Sequence, residues 1–155
     1  MADFKKLRVW GYAHALSLNV DKTARRIRNA DYAPLRRQMI RAAQSVPTNI
    51  VEGREKSSEP EFARFLEIAK GSVSELEQHL ITARDLELIS HSDFHSLTNQ
   101  IEEVRKMLTG LLDRLRKSIE DVRQRDKRHY RRGKRSAGSD ERVARSVDVQ
   151  KSDGE

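Results

Sequence analysis

His91 and His95 stand four residues apart, the spacing at which one helix face can clasp a metal ion. No Glu follows His91 and no third ligand lies nearby, so two exposed histidines in a first helical turn are the simpler expectation. Glu75 and His79 share the same spacing and could act as an acid–base pair, but no nucleophile accompanies them. A di-iron bundle site needs paired Glu-x-x-His motifs, and no Glu in the chain has His three residues on. A Gly-x-Ser-x-Gly elbow, a phosphate-binding glycine loop and cysteine are also absent. No catalytic residue, metal or cofactor is therefore expected, and the chain reads as a non-enzyme.

Basic residues carry the stronger signal. Arg25, Arg26 and Arg28 close one predicted helix and Arg36 and Arg37 open the next, so both sets meet around one loop. Helix-dipole complementarity explains the first set but not the second. Together they suit phosphate neutralisation with little sequence preference. Further on, Arg123, Arg125, Lys127, Arg128, Arg131, Arg132, Lys134 and Arg135 face a single Asp126, a net +7 over thirteen residues that equals the charge of the whole chain. After Asp121 the apolar period also decays, so residues 121–155 are expected to form a disordered basic tail.

The stretch Arg41 to Gly53 departs from its helical surroundings by placing Pro47, Asn49 and Glu52 among apolar residues. An interior proline removes a backbone donor and crowds the carbonyl four residues back, so a kink is expected there. The apolar spacing from Leu35 to Ile50 stays in phase across it, which predicts a helix that bends without ending. Arg41, Asn49, Glu52, Ser72 and Glu75 are expected to form a hydrogen-bonded structural network beside Pro47.

Ser45-Val46-Pro47-Thr48-Asn49-Ile50-Val51-Glu52-Gly53 resembles the S-[IV]-P-[ST]-N-I-x-E-G signature of bacterial four-helix-bundle proteins encoded in intervening sequences of large-subunit ribosomal RNA genes. Phe4-Lys5-Lys6-Leu7-x-Val9-Trp10 is similar to that family's start. Glu61-Phe62-x-Arg64-Phe65-Leu66 with Ala69-Lys70-Gly71-Ser72-Val73-Ser74-Glu75-Leu76 is similar to its third helix. The likeness runs from about Asp3 to Ser118. It implies a four-helix bundle that assembles as a homopentameric ring. It also implies kinship with accessory proteins of diversity-generating retroelements, which are linked to reverse-transcriptase partners.

Periodicity reaches the same architecture independently. Trp10, Ala13, Ser17, Val20, Ala24 and Ile27 mark a first helix from Lys6 to Arg28, and Leu35 to Ile50 a second that stops at Gly53. Ser58-Glu59-Pro60-Glu61 is a capping box opening a third helix, with Phe62, Leu66, Ala69, Val73, Leu76, Leu80 and Ala83 as its seam. Ser90-His91-Ser92-Asp93 opens a fourth, with Phe94, Leu97, Ile101, Val104, Leu108, Leu111 and Leu115. Short connections then give an all-α, up-down-up-down antiparallel four-helix bundle over residues 1–120. Ile40, Phe65, Ile68, Leu112 and Ile119 fall off these seams and suggest an oligomer surface, while Gly71 and Gly110 suggest close helix contacts.

No apolar run approaches the ~18 residues of a membrane span. With no cysteine, the composition fits the cytoplasm. The expected function is nucleic-acid binding, to structured RNA or DNA, by an oligomeric basic bundle. The rival is a scaffold or accessory subunit that docks an acidic protein or a reverse-transcriptase-like partner.

Overall fold

A computed structural model describes the backbone of residues 3–150 and the side chains of residues 3–134. A 3-10 turn at Phe4–Lys6 leads into α1 (Arg8–Arg25), and a second turn at Ala30–Tyr32 into α2 (Ala33–Arg54). Two longer helices follow, α3 (Glu59–Asp85) and α4 (His91–Gln150). No strand occurs among the described residues. None of the helices among them is long and apolar enough to cross a membrane.

Local chemistry fixes each start. Ser58 accepts from the Glu61 amide at 3.4 Å while its hydroxyl donates to the Glu61 carboxylate, so the capping box closes in both directions. Ser90 accepts from the Asp93 amide at 3.0 Å and begins α4 in the same manner. At the end of α3, Glu87 takes the left-handed conformation at φ 57°. The Leu88 amide then reaches the Ala83 carbonyl at 2.8 Å and the Glu87 amide reaches Arg84 at 2.9 Å, a Schellman closure built without glycine. α2 passes through buried Pro47 without a break, as its phase predicts.

The helices pair antiparallel around one core in the order α1, α2, α3, α4. Arg36 of α2 meets Ile27 beyond α1, and Trp10 and His14 of α1 line a groove with Pro47 and Thr48 of α2. Ser45 meets Ser72, and Gly53 meets Phe62, between α2 and α3. Glu77 pairs with Arg105, and Glu67 with Arg116, between α3 and α4. Arg26 with Asp93, and Asn19 with Gln100 at 2.8 Å, close α4 back on α1. The seam of α3 is buried at every expected position.

The other seams depart in small ways. Trp10 is half-buried, stacked on His14 at 5.1 Å, while Val9 and Leu16 enter the core of α1. On α4 the buried set is Leu97, Ile101, Val104, Leu108, Leu112 and Leu115, so Leu112 is a core residue rather than a surplus one. Leu111 packs on its rim. The cause is the mismatch between a 3.5-residue seam and a 3.6-residue turn, which drifts about 20° per heptad. Of the remaining off-seam residues, Ile68 is exposed and Ile40, Phe65 and Ile119 are half-buried.

The chain divides into two compact units, Met1–Arg116 and Lys117–Glu155, four residues short of the boundary expected at 120. α4 runs as helix as far as Gln150, and its residues 121–134 belong to the basic segment expected as a tail. Every side chain of residues 121–134 is exposed, so the segment contributes nothing to the core. Its arginines, lysines and glutamine are strong helix formers, which the apolar period does not register. Side chains beyond 134, including Arg135, lie outside the described ones.

Gly53 is the glycine the fold requires. A Cβ there would meet Phe62 Cδ2 and Phe65 Cβ at 2.8 Å each, below any ordinary contact. Gly71 and Gly110, by contrast, have nothing within 4 Å of a Cβ, which corrects the expectation of close helix contacts at both. Gly53→Ala should therefore destabilise the bundle by about 1–3 kcal/mol, despite alanine's better helix propensity. Gly71→Ala should be neutral or gain up to about 1 kcal/mol. Urea melts of the two variants check this pair, and equal midpoints would refute the packing argument.

Candidate nucleic-acid interface

At the α1–α2 loop the five expected arginines do different things. Asn29 caps the 3-10 turn by accepting from the Asp31 amide at 2.9 Å, which brings Arg36 under the end of α1. The Arg36 guanidinium donates to the Ile27 carbonyl, satisfying an acceptor that the helix end leaves open. Arg25 pairs with Asp21 at 2.7 Å and Arg26 with Asp93 at 3.2 Å, both mostly solvated. Arg28 and Arg37 are exposed and have no carboxylate within 4 Å among the described residues. Counting Lys22 with the five arginines against Asp21, Asp31 and Asp93 leaves 6 − 3 = +3. The patch is positive but half compensated.

The second expected set is less compensated. Arg123 lies 3.9 Å from Glu120. Arg125, Lys127, Arg128, Arg131 and Arg132 have no carboxylate in ion-pair reach among the described residues, and all are exposed. Tyr130, 73% exposed, stands among them.

α4 starts beside the α1–α2 loop, where Asp93 meets Arg26, and its core contacts end near Arg116, paired with Glu67 in the first half of α3. From Leu97 to Leu115 the helix rises about 27 Å at 1.5 Å per residue. Arg116 is thus at the end opposite the loop arginines.

Near that end the antiparallel pairing assembles a third basic set that no sequence window reveals. Arg8 of α1 and Lys106 and Arg114 of α4 rim a groove of about 420 Å³ floored by Leu7, Val9, Met107, Gly110 and Leu111. No acidic residue lines it. Arg8 is about a hundred residues from Lys106 and Arg114 in the chain, so only the α1–α4 contact could have pointed to the set.

The polar motif is tighter than expected. Ser45 and Ser72 bridge α2 and α3 at 2.8 Å between hydroxyls, and the Asn49 amide donates to the Ser45 carbonyl at 2.8 Å and its hydroxyl at 3.0 Å. Ser72 is buried and also donates to the Ile68 carbonyl at 3.1 Å. Arg41, Glu52 and Glu75 take no part. Arg41 is exposed, Glu52 faces Lys56 at 3.8 Å, and Glu75 faces His79 at 3.4 Å. Charged side chains stay in solvent because a two-hydroxyl bridge with one amide already satisfies the half-buried groups there. No group of three or more His, Asp or Glu suited to a metal occurs among the described residues.

Arg36→Ala should lower stability by about 1–2 kcal/mol by uncapping Ile27, whereas Arg37→Ala should change it by less than about 0.5 kcal/mol. Thermal melts of both variants distinguish a structural arginine from a free one, and equal losses would reverse the assignment.

Residues 5–110 match the protein family described as 23S rRNA-intervening sequence protein. A crystal structure at 1.70 Å of a protein of unknown function from the S23 ribosomal protein family of Bacteroides thetaiotaomicron VPI-5482 is 22% identical to the chain. That likeness covers 67% of this chain and 97% of the other, with a TM-score of 0.63, and shows a shared fold. No curated protein matches. The bundle, its α2 signature and the family match over 5–110 together make this chain a member of the 23S rRNA-intervening sequence protein family.

Proposed function

We propose that this protein is a non-enzymatic, oligomeric basic bundle that binds nucleic acid through phosphate contacts in the cytoplasm. The observation that carries the reading is the exposed run on α4, where six of the seven cations from Arg123 to Lys134 lack a carboxylate within 4 Å among the described residues. Cations without internal partners are free to displace the counterions of a phosphate chain, which is the main source of sequence-independent affinity. Arg28 and Arg37 add a smaller site beside the α1–α2 loop.

Self-association belongs to the same proposal, since it would multiply the basic sites in one particle. Ile68, 42% exposed, stands one turn before Ser72 on α3, and Leu18 and Tyr12 are exposed on α1. The family resemblance points to a pentamer. A second reading, docking of an acidic protein or a reverse-transcriptase-like partner, is favoured by the apolar groove rimmed by Arg8, Lys106 and Arg114.

Gel-shift titrations against RNA and DNA at two salt concentrations test the proposal. Removing Asp121 to Glu155 deletes eleven basic and seven acidic residues, a net +4, and leaves 20 − 17 = +3 on the remainder. The truncated protein should bind more weakly and with a flatter salt dependence, since each lost phosphate contact removes roughly 0.7–0.9 from the log–log slope. Arg28→Glu with Arg37→Glu should weaken the residual binding. If neither form binds near physiological salt, the docking reading replaces this one. Light scattering at micromolar concentration checks the assembly, and a monomer would exclude it.

A further inference from the structure

Beyond the core, α4 arranges its charge in two rows. At about 100° per residue, Lys127, Arg131 and Lys134 fall within about 60° of one another. Arg125, Arg128 and Arg132 form a second row about 130° round the helix. All six side chains are exposed. The one carboxylate between Gln124 and Lys134, Asp126, falls on the opposite side with Val122, His129 and Tyr130.

The geometry of two rows selects among anionic surfaces. One row would suit a single strand or a flat charged sheet, whereas two rows flanking a helix suit two lines of phosphate with a trough between them. The major groove of B-form DNA is about 12 Å wide and admits a helix of about 10–12 Å, with a phosphate line on either side. Each row spans about 10 Å of helix, room for three phosphates at one per 3.4 Å of axis on a strand. The major groove of A-form RNA is too deep and narrow for side chains to read. An acidic lipid surface asks for a broad apolar face opposite the charge, and here that arc offers little beyond Val122 and Tyr130.

We propose that residues 124–134 of α4 seat in the major groove of duplex DNA, one row on each strand's phosphates. The inference rests on the nucleic-acid reading above and narrows it to B-form duplex. No base-specific contact is needed, so binding tolerates sequence and depends steeply on salt.

The test uses the full-length chain with a 20-base-pair DNA duplex, the RNA duplex of the same sequence and the single strand, by fluorescence anisotropy across a salt series. The DNA duplex should bind most tightly. Lys127→Ala/Arg131→Ala/Lys134→Ala and Arg125→Ala/Arg128→Ala/Arg132→Ala should each lower the log–log salt slope on duplex DNA by about 2.7, three contacts at about 0.9. With the unaltered chain, methyl green in the major groove should compete and netropsin in the minor groove should not. Loss of slope in one triple variant only, or competition by netropsin, overturns the groove placement. Equal binding of the RNA duplex overturns the choice of DNA while leaving the phosphate-binding reading standing. Failure of every nucleic acid to bind removes both.

Discussion

The contact on which this bundle depends is the end of α2 pressed against the start of α3. Gly53 leaves no side chain where Phe62 and Phe65 lie, so the two helices approach closely at the mouth of their hairpin. Two turns further in, the Ser45 and Ser72 hydroxyls meet at 2.8 Å and fix the same register from the polar side. With both points pinned, the apolar positions of α2 and α3 face one another in step, and α1 and α4 complete a four-sided core. The nine-residue signature is therefore a packing device in large part. Pro47 fits because it is buried in α2, and Asn49 folds back on Ser45 beside it.

That division separates the charged residues of the same stretch from the polar ones. Asn49 and Ser72 are spoken for inside the bundle, whereas Arg41, Glu52 and Glu75 keep solvent on one side. Exposed ion pairs such as Glu52 with Lys56 contribute little, typically 0–1 kcal/mol. Stability does not account for their placement. The arginines divide by the same criterion, since Arg36 closes a helix end while Arg37, one residue on, is turned 100° away and closes nothing.

Most of the fold was legible because its signals are local. The capping boxes at Ser58 and Ser90 and the unbroken seam of α3 need only a few neighbouring residues to be recognised. What escaped depends on several turns or on two helices at once. Leu112 displaced Leu111 through accumulated drift, and the open sides of Gly71 and Gly110 depend on which neighbour each helix meets. The Arg8, Lys106 and Arg114 set exists only after α1 and α4 are paired. Residues 121–134 carry no hydrophobic period because period marks burial, and a segment can be helical while burying nothing.

Placement of charge also bears on how such a bundle would engage a nucleic acid. The loop arginines and Arg116 lie at opposite ends of a core about 27 Å long. A ligand held by Arg28 and Arg37 is therefore separated by the length of the bundle from the point where α4 leaves the core. Several copies that place like ends side by side would gain from linkage, because a weak site repeated in one particle binds at the effective concentration set by its neighbours. On that reasoning the half-compensated loop patch, with its net charge of only 6 − 3 = +3, would be useful chiefly in an assembly, so that the proposed oligomerisation and the proposed phosphate binding would belong to one mechanism.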